Sequence, residues 1–336
     1  MNQKNQPPDE YVLVQEERLL AFVTAGFEKA GVEAEHASLI SRLLVNADMR
    51  GVRSHGTRNA CGYALGFARG SINPQPDIRV VHETPAAVVV DGDGTLGYWP
   101  MVQAAELAVA RAKEMGLGMG LVRHIGHYGS AGHYARICKE AGCVGFSAQG
   151  YRSEGTSRNV DPKPSVGYSG DPPFCFAIPG GEEPGMVLDA GASIFGFYRD
   201  EGYEDLLGRV PGAFFRSVGL IAMSTLLGGA LTGFTAPESD AVHERWPGAA
   251  HGGTVLAIDV AQMVSFDLFR AEADRYARDL RANYAPIPGT DRVRLPGAIE
   301  EERMARYRRE GIPYGESEQE AARALHEHFG VMLPWD

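Results

Sequence analysis

An α/β fold is what this 336-residue chain predicts, on three observations. Residues 10–68 carry apolar side chains at helical spacing with no strand signal. Residues 78–259 alternate short β-branched runs with helical stretches. Residues 266–329 return to helix. Helices therefore flank a strand-rich middle, the pattern of an α/β or α+β chain.

The elements follow in order. Leu19, Leu20, Phe22, Val23 and Phe27 predict a helix over 10–29, with Gly31 just past its end. A second amphipathic helix fills 33–49 and stops at Gly51. Ser54 can cap a third helix running to 68, with Gly70 at its C′ position. Runs at 78–81 and 86–90 read as strands, 101–115 as an Ala-rich helix and 117–122 as a strand. A Gly/His loop then leads into a helix over 130–141 and a strand at 143–147. The stretch 149–173 is rich in Gly, Pro, Ser and Asp and reads as loop. Strands at 174–178 and 185–188 precede a charged, poorly patterned segment at 201–211. A helix over 216–231, a strand at 253–259 and helices over 266–283, 299–310 and 318–329 complete the chain. Residues 1–10 are expected to be disordered, and no repeat period is evident.

With 44% hydrophobic and 22% charged residues, the chain is long enough for two domains or one large interdigitated unit. A formal net charge of −11 excludes nucleic acid and anionic membrane as expected partners, because phosphate binding needs a basic face. Cys61, Cys138, Cys143 and Cys175 form no C-x-x-C pair and no zinc spacing, so reduced, buried thiols are expected. The N-terminus is polar, with no apolar signal region. The longest apolar stretch, 218–231, contains three glycines and falls short of a membrane span; it reads as a buried helix. A cytosolic protein is expected.

Four segments carry candidate chemistry. Gly92-Asp93-Gly94-Thr95-Leu96-Gly97 matches the G-x-G-x-x-G fingerprint after a strand. However, the preceding helical residues and Pro100 argue for a glycine turn. Arg53-Ser54-His55-Gly56-Thr57-Arg58 would place His55 at a helix start, where free N–H groups favour a neutral imidazole and bind carboxylates. Arg58 and Asn59 could share its face, an arginine for a carboxylate beside a histidine for proton transfer. The same residues also read as an ordinary surface helix start. In His124-Ile125-Gly126-His127-Tyr128-Gly129-Ser130-Ala131-Gly132-His133, three histidines lack a carboxylate at ligand spacing. A cofactor or phosphate loop at the start of the next helix is therefore the better reading than a metal site, and an ordinary turn remains open. Val187-Leu188-Asp189-Ala190-Gly191-Ala192-Ser193 closes a strand with an acid followed by small residues, room for close ligand approach.

Together these stretches resemble the type 2 malate/L-lactate dehydrogenase family, which includes sulfolactate and ureidoglycolate dehydrogenases and cyclic-imine reductases. The resemblance is carried by Ala47-Asp48-Met49-Arg50-Gly51-Val52-Arg53-Ser54-His55-Gly56, by Gly70-Ser71-Ile72-Asn73-Pro74 and by Asp91-Gly92. Gly126 through Gly132, Leu188 through Ser193, Gly219 through Gly233 and Leu295-Pro296-Gly297 extend it over most of the chain.

The resemblance implies a non-Rossmann nucleotide-binding fold with a mixed, largely antiparallel sheet flanked by helices, and a homodimer. It reduces Gly92–Gly97 to a turn. Residues 1–75, joined by the helices of 296–336, would form a helical domain; 76–295 would hold cofactor and substrate. His55 would donate and accept the proton, with Ser54 and Asp189 beside it. Arg50, Arg58 and Asn59 would meet the substrate. His127, Tyr128, Gly129, Ser130, Ala131, Asp189, Ala190, Gly191, Arg216, Pro296 and Gly297 would hold NADH or NADPH; no metal is implied. Hydride would pass to or from a 2-oxo or 2-hydroxy acid or a cyclic 2-imino acid, in a specialised pathway.

The departures from the family pattern are specific. Its substrate arginine, four residues after the histidine, is Asn59 here, with Arg58 one residue early. Its Gly-Thr-Asn-Pro is Gly170-Asp171-Pro172-Pro173, and its Lys-Gly is Arg216-Ser217. The segment between Ser193 and Arg216 is shortened, and Asp200 is the nearest counterpart of a further acid. A non-redox acid/base enzyme, such as a cyclase, lyase or isomerase, is the alternative that this shortening motivates. Retention of Ser54-His55 and of the Gly/His loop argues against a non-catalytic subunit.

Overall fold

The computed structural model describes residue 5 and residues 7–151, 170–193 and 203–336. In chain order the elements are β1 (Val12–Val14), α1 (Glu16–Lys29), α2 (Ala34–Met49), α3 (Ala60–Ala68), β2 (Arg79–Glu83), β3 (Ala87–Thr95), α4 (Tyr98–Met115), β4 (Leu117–Ile125) and α5 (Gly132–Glu140). There follow β5 (Cys143–Tyr151), β6 (Pro173–Ile178), β7 (Met186–Gly191), α6 (Tyr203–Arg209), α7 (Pro211–Gly228), α8 (Asp240–Arg245) and β8 (His251–Asp259). Then come α9 (Val260–Met263), α10 (Phe266–Asn283), α11 (Ala298–Glu310), β9 (Ile312–Tyr314) and α12 (Glu316–Phe329).

Seven strands form one sheet in the order β2-β3-β4-β8-β5-β6-β7. Only β3 and β4 run parallel; every other neighbouring pair is antiparallel. The mixed, largely antiparallel sheet expected from the resemblance is therefore present. β1 and β9 pair separately, tying the two ends of the chain together.

Glycine and alanine set how closely the helices lie on this sheet. A methyl on Gly118 or Gly120 of β4 would strike the carbonyl oxygens of Ala108 or Ala104 in the Ala-rich α4. Gly145 of β5 meets Ala135 and Cys138 of α5 in the same way. Because side chains alternate along a strand, the opposite face of β5 presents Phe146, Ala148 and Gly150 to α7, where Gly150 abuts Thr225 and Gly229. A second apolar core draws on both ends of the chain: Leu19, Phe27, Leu44 and Phe67 pack with Met304, Tyr307, Tyr314 and Leu325. All four cysteines are buried and unbridged, as expected for reduced thiols.

The structure corrects several expectations. The first helix begins at Glu16, because Val12–Val14 is a strand with β9 as its partner. β5 runs on to Tyr151, through residues read as loop, because β8 pairs with it as far as His251. Gly92–Thr95 is the bulged end of β3 rather than a simple turn. Asp93 and Gly94 take positive φ there, and a Cβ on Gly94 would enter Trp246.

The 218–231 stretch is helical but not buried. α7 turns Phe214, Ser217, Ile221 and Ser224 inward and leaves Phe215, Met223 and Leu226 exposed. Pro211–Thr232 has the length and composition of a membrane span, with 33% of its most apolar window buried. The expectations for 1–4, for most of 149–173 and for Asp200 fall outside the described residues.

A candidate active site built around His55

Ser54 does not cap a long helix. Residues Arg53–His55 and Thr57–Asn59 form two short 3-10 turns, and α3 begins only at Ala60. The break is at Gly56, whose extended backbone (φ −88°, ψ −162°) cannot continue a helix. Asp48 enforces it: its carboxylate accepts from the Thr57 N–H (2.9 Å) and hydroxyl (2.5 Å). Any Cβ on Gly56 would run into that carboxyl group. Asn59 donates its amide to the carbonyls of Ser54 (3.0 Å) and Gly56 (3.1 Å). The Arg53–Glu318 ion pair ties the turn to α12.

In this frame Ser54 Oγ lies 2.9 Å from His55 Nδ1. That contact holds the ring by its Nδ1. The His127 ring stacks on His55, with centroids 5.5 Å apart and planes at 25°. Burial, reinforced by His55 and then His251, holds the His127 pKa down at about 3. The Tyr63 phenol, pushed up to about 12 by burial, remains protonated and lies 2.5 Å from His127 Nδ1. His127 is thus a neutral imidazole, and donation from Tyr63 to Nδ1 would leave its proton on Nε2.

Both histidines line a cavity of about 510 Å³. Ser54, Ser130, Ala131, Asp189, Ala190 and Gly191, all named in the expected site, also line it. Asp189 is fixed by the Ser130 hydroxyl and by the Gly132 N–H (3.0 Å), the first amide of α5. Ser130 is accordingly a partner of Asp189 and not the cap of α5, which starts after Ala131. The expected anion-binding helix start already holds a carboxylate of the chain itself.

The structure separates other members of the expected set from the cavity. Arg50 is buried against Asn46 (3.1 Å) and Glu301 (2.6 Å). Arg58 and Asn59 do not line the cavity, and Asn59 holds the His55 turn instead. Arg216 is exposed on α7. Tyr128 is wholly buried, and Gly129 packs on Tyr98 at positive φ. Pro296 accepts the Val187 N–H (3.0 Å), so Pro296 and Gly297 back the β7 wall rather than form it.

The three loop histidines are also divided. His124 is held by Asp91 (2.9 Å) and Ser239 (2.7 Å), while His133 is buried with Nε2 unpartnered among the described residues. Among those residues no group of three His, Cys, Asp or Glu could hold a metal ion.

Several lining residues were not picked out from the sequence: Arg136, Gln149, Tyr151, Asp171, His251 and Glu300. Asp171 lies in the departed Gly-Asp-Pro-Pro stretch, and its carboxylate accepts the Ser193 N–H at 2.8 Å. Burial lowers the His251 pKa to about 4, and its Nδ1 has no hydrogen-bond partner among the described residues. Arg136 had one available signal: it lies one helical turn beyond Gly132 in the Gly/His segment.

The fold superposes on that of malate dehydrogenase from Pyrococcus horikoshii with a TM-score of 0.82, covering 99% of both chains at 24% identity. It also matches sulfolactate dehydrogenase from Methanocaldococcus jannaschii, with a TM-score of 0.76 at 22% identity and 96% and 98% coverage. The protein therefore has the α/β fold of malate- and sulfolactate-dehydrogenase-type enzymes. A sequence profile described as malate/L-lactate dehydrogenase matches residues 14–198 and 205–321, and the chain belongs to that family of dehydrogenases.

The P. horikoshii malate dehydrogenase is 34% identical over 197 residues, 58% of this chain. In that match the chain spans about half the relative's length, 52%. The NAD(+)-dependent ureidoglycolate dehydrogenase of Escherichia coli K12 is 26% identical over 310 residues, 84% of this chain and 87% of the relative.

Proposed function

We propose that the chain is an NAD(P)H-dependent oxidoreductase. It would transfer hydride to or from a 2-oxo or 2-hydroxy acid or a cyclic 2-imino acid, with His55 handling the proton. The observation that carries this reading is His55 itself, fixed at Nδ1 by Ser54 and set in the wall of a closed-in cavity. The family membership supplies the reaction class.

The cavity suits a nicotinamide ring. Ala131, Pro173 and Val187 offer apolar surface to a ring face, and the unpartnered His251 Nδ1 offers an acceptor or donor to an amide. A bound nicotinamide would supply or receive the hydride. The remaining work falls to the chain. His55 Nε2 gives a proton to the reacting oxygen or nitrogen during reduction and removes it during oxidation. His127, neutral and protonated at Nε2, donates a hydrogen bond to developing negative charge without competing for the proton. Asp189 holds the β7 end against the α5 start and so keeps the wall beside them in place.

We further propose a homodimer in the cytosol. The exposed apolar surface of α7 and Phe176 of β6 is the face that a second copy would cover, and four unbridged thiols suit a reducing compartment.

The test is titration of the purified protein with NADH and NADPH, following nicotinamide fluorescence. Binding of one cofactor tighter than about 1 mM, the upper range for such sites, supports the reading. Failure of both to bind at that level, with a folded protein, overturns it in favour of non-redox acid/base chemistry at His55.

A further inference from the structure

Arg136 is one of the buried charged groups of the molecule, 6% exposed. It sits on α5 and lines the same cavity as His55 and His127. Among the described residues it makes no ion pair and no hydrogen bond, and its Nε is sealed from solvent with no acceptor. A guanidinium whose Nε is buried without an acceptor is costly, because that N–H has lost water without gaining a partner. Such groups are rare unless a ligand completes them.

We propose that Arg136 is the carboxylate anchor of the cavity, binding the acid group of the substrate while His55 exchanges a proton at the neighbouring carbon's oxygen or nitrogen. Four observations lead there. The described lining contains no other lysine or arginine. The two nearby candidates are engaged elsewhere, Arg50 with Glu301 and Arg53 with Glu318. Arg58 stays outside the cavity, and Asn59 is bound to backbone carbonyls.

The fourth observation concerns the acids. Asp189 is fixed by Ser130 and Gly132, and Asp171 by the Ser193 N–H. Neither is paired with Arg136. Asp189 does lie close, since a methyl on Gly132 would meet both its Oδ2 and Arg136 Nη1. Asp189 therefore offsets part of the Arg136 charge without forming an ion pair with it. Burial, and then the Arg50 charge, lower the Arg136 pKa, yet a guanidinium starts so high that it stays charged at working pH. Its planar fork matches a carboxylate with two parallel hydrogen bonds.

The proposal rests on the hydride-transfer reading only for the kind of acid bound. The probe is oxamate, a small analogue of a 2-oxo acid. Its affinity is measured by calorimetry on the full chain, with and without NADH or NADPH, for wild type, Arg136→Leu, Arg136→Gln and Arg136→Lys. The expected result is that wild type binds oxamate and that Arg136→Leu and Arg136→Gln weaken it roughly 10- to 100-fold, the range for charge-assisted pairs. Arg136→Lys should fall between, because it keeps the charge and loses the fork. Cofactor affinity should stay within about twofold.

The melting temperature of Arg136→Leu should equal or exceed that of wild type, since a structural arginine would lower it. If Arg136→Leu does melt lower, the oxamate affinity of Arg136→Gln at wild-type melting temperature decides. Unchanged oxamate binding in the folded variants overturns the anchor. So does an equal loss of cofactor and oxamate, which would place a phosphate on Arg136, and so does a wild type that binds no oxamate under either condition. A wild type that binds oxamate but neither nicotinamide overturns the redox reading and leaves the anchor standing.

Discussion

His55 and His127 stack ring on ring, 5.5 Å between centroids, and only His55 stands in contact with a hydroxyl at Nδ1 from its own turn. Two imidazolium ions at that separation would repel. The structure avoids this by burying His127 and giving its Nδ1 the Tyr63 phenol, so one ring is fixed as neutral. In the proposed reaction the pair would divide into a proton carrier and a hydrogen-bond donor.

Replacing the carrier should abolish chemistry and spare binding. His55→Ala is expected to lower kcat by about 10²- to 10⁴-fold, the usual contribution of a positioned acid/base. Its NADH or NADPH titration should match wild type. Turnover at the wild-type rate in this variant would refute the assignment.

Tyr63→Phe tests the donor. It removes the hydrogen bond that fixes the His127 tautomer, worth about 1 kcal/mol, and should lower kcat/KM about five- to tenfold. In ¹⁵N NMR of the wild type, His127 should keep its Nε2 proton from pH 5 to pH 9, since its pKa lies at about 3. A His127 that titrates in this range would contradict the division of roles.

Asp48 gives stability a pH dependence. Burial raises its pKa to about 7, against 3.8 for the free group, and the Thr57 contacts offset only part of that. The folded state therefore keeps a proton that the unfolded state releases. This group's contribution is full below pH 4, declines as pH rises to 7, and is constant beyond. Asp48→Asn keeps an acceptor for Thr57 without the charge. Its melting temperature relative to wild type should rise from pH 4 to pH 7; a flat difference would speak against the shifted carboxyl.

Gly56→Ala should be disproportionately harmful. The new methyl meets the buried Asp48 carboxyl, so about 1–3 kcal/mol of stability should be lost, as in other overpacked sites. Activity should fall further than stability, because the same turn carries His55. An active, normally stable variant would show that the turn can shift.

Met223→Glu tests the apolar face of α7. Met223 is 56% exposed beside the groove lined by Phe146, Phe174 and Phe176. Light scattering after gel filtration should give a mass near twice that of one chain for wild type and half that value for the variant. A monomeric wild type would refute the dimer.

Much of the scaffold was legible because it is written in local pattern. The apolar spacing in α1 and α2, the Ala-rich α4 and the β-branched cores of β3 and β8 each declare an element within a few residues. The boundaries that failed depended on partners far away. Val12–Val14 becomes a strand because Ile312–Tyr314 lies beside it. β5 reaches Tyr151 because β8 continues to pair with it.

The sequence by itself determined the fold class and the family, and put forward the segment Ser54-His55-Gly56 as the expected chemical centre, because those reside in motifs of adjacent residues. Which charges reach the cavity was decided only by the tertiary structure. Arg50, Arg58 and Arg216 are close to motifs in the chain but are paired, turned aside or exposed in space. Arg136 lies just past the Gly/His motif and His251 is near none, yet folding brings both to the wall beside His55. A side chain's neighbours along the chain fix its local backbone. Its burial and its ionic partners depend on elements that may be a hundred residues away, and those settle which groups a ligand can meet.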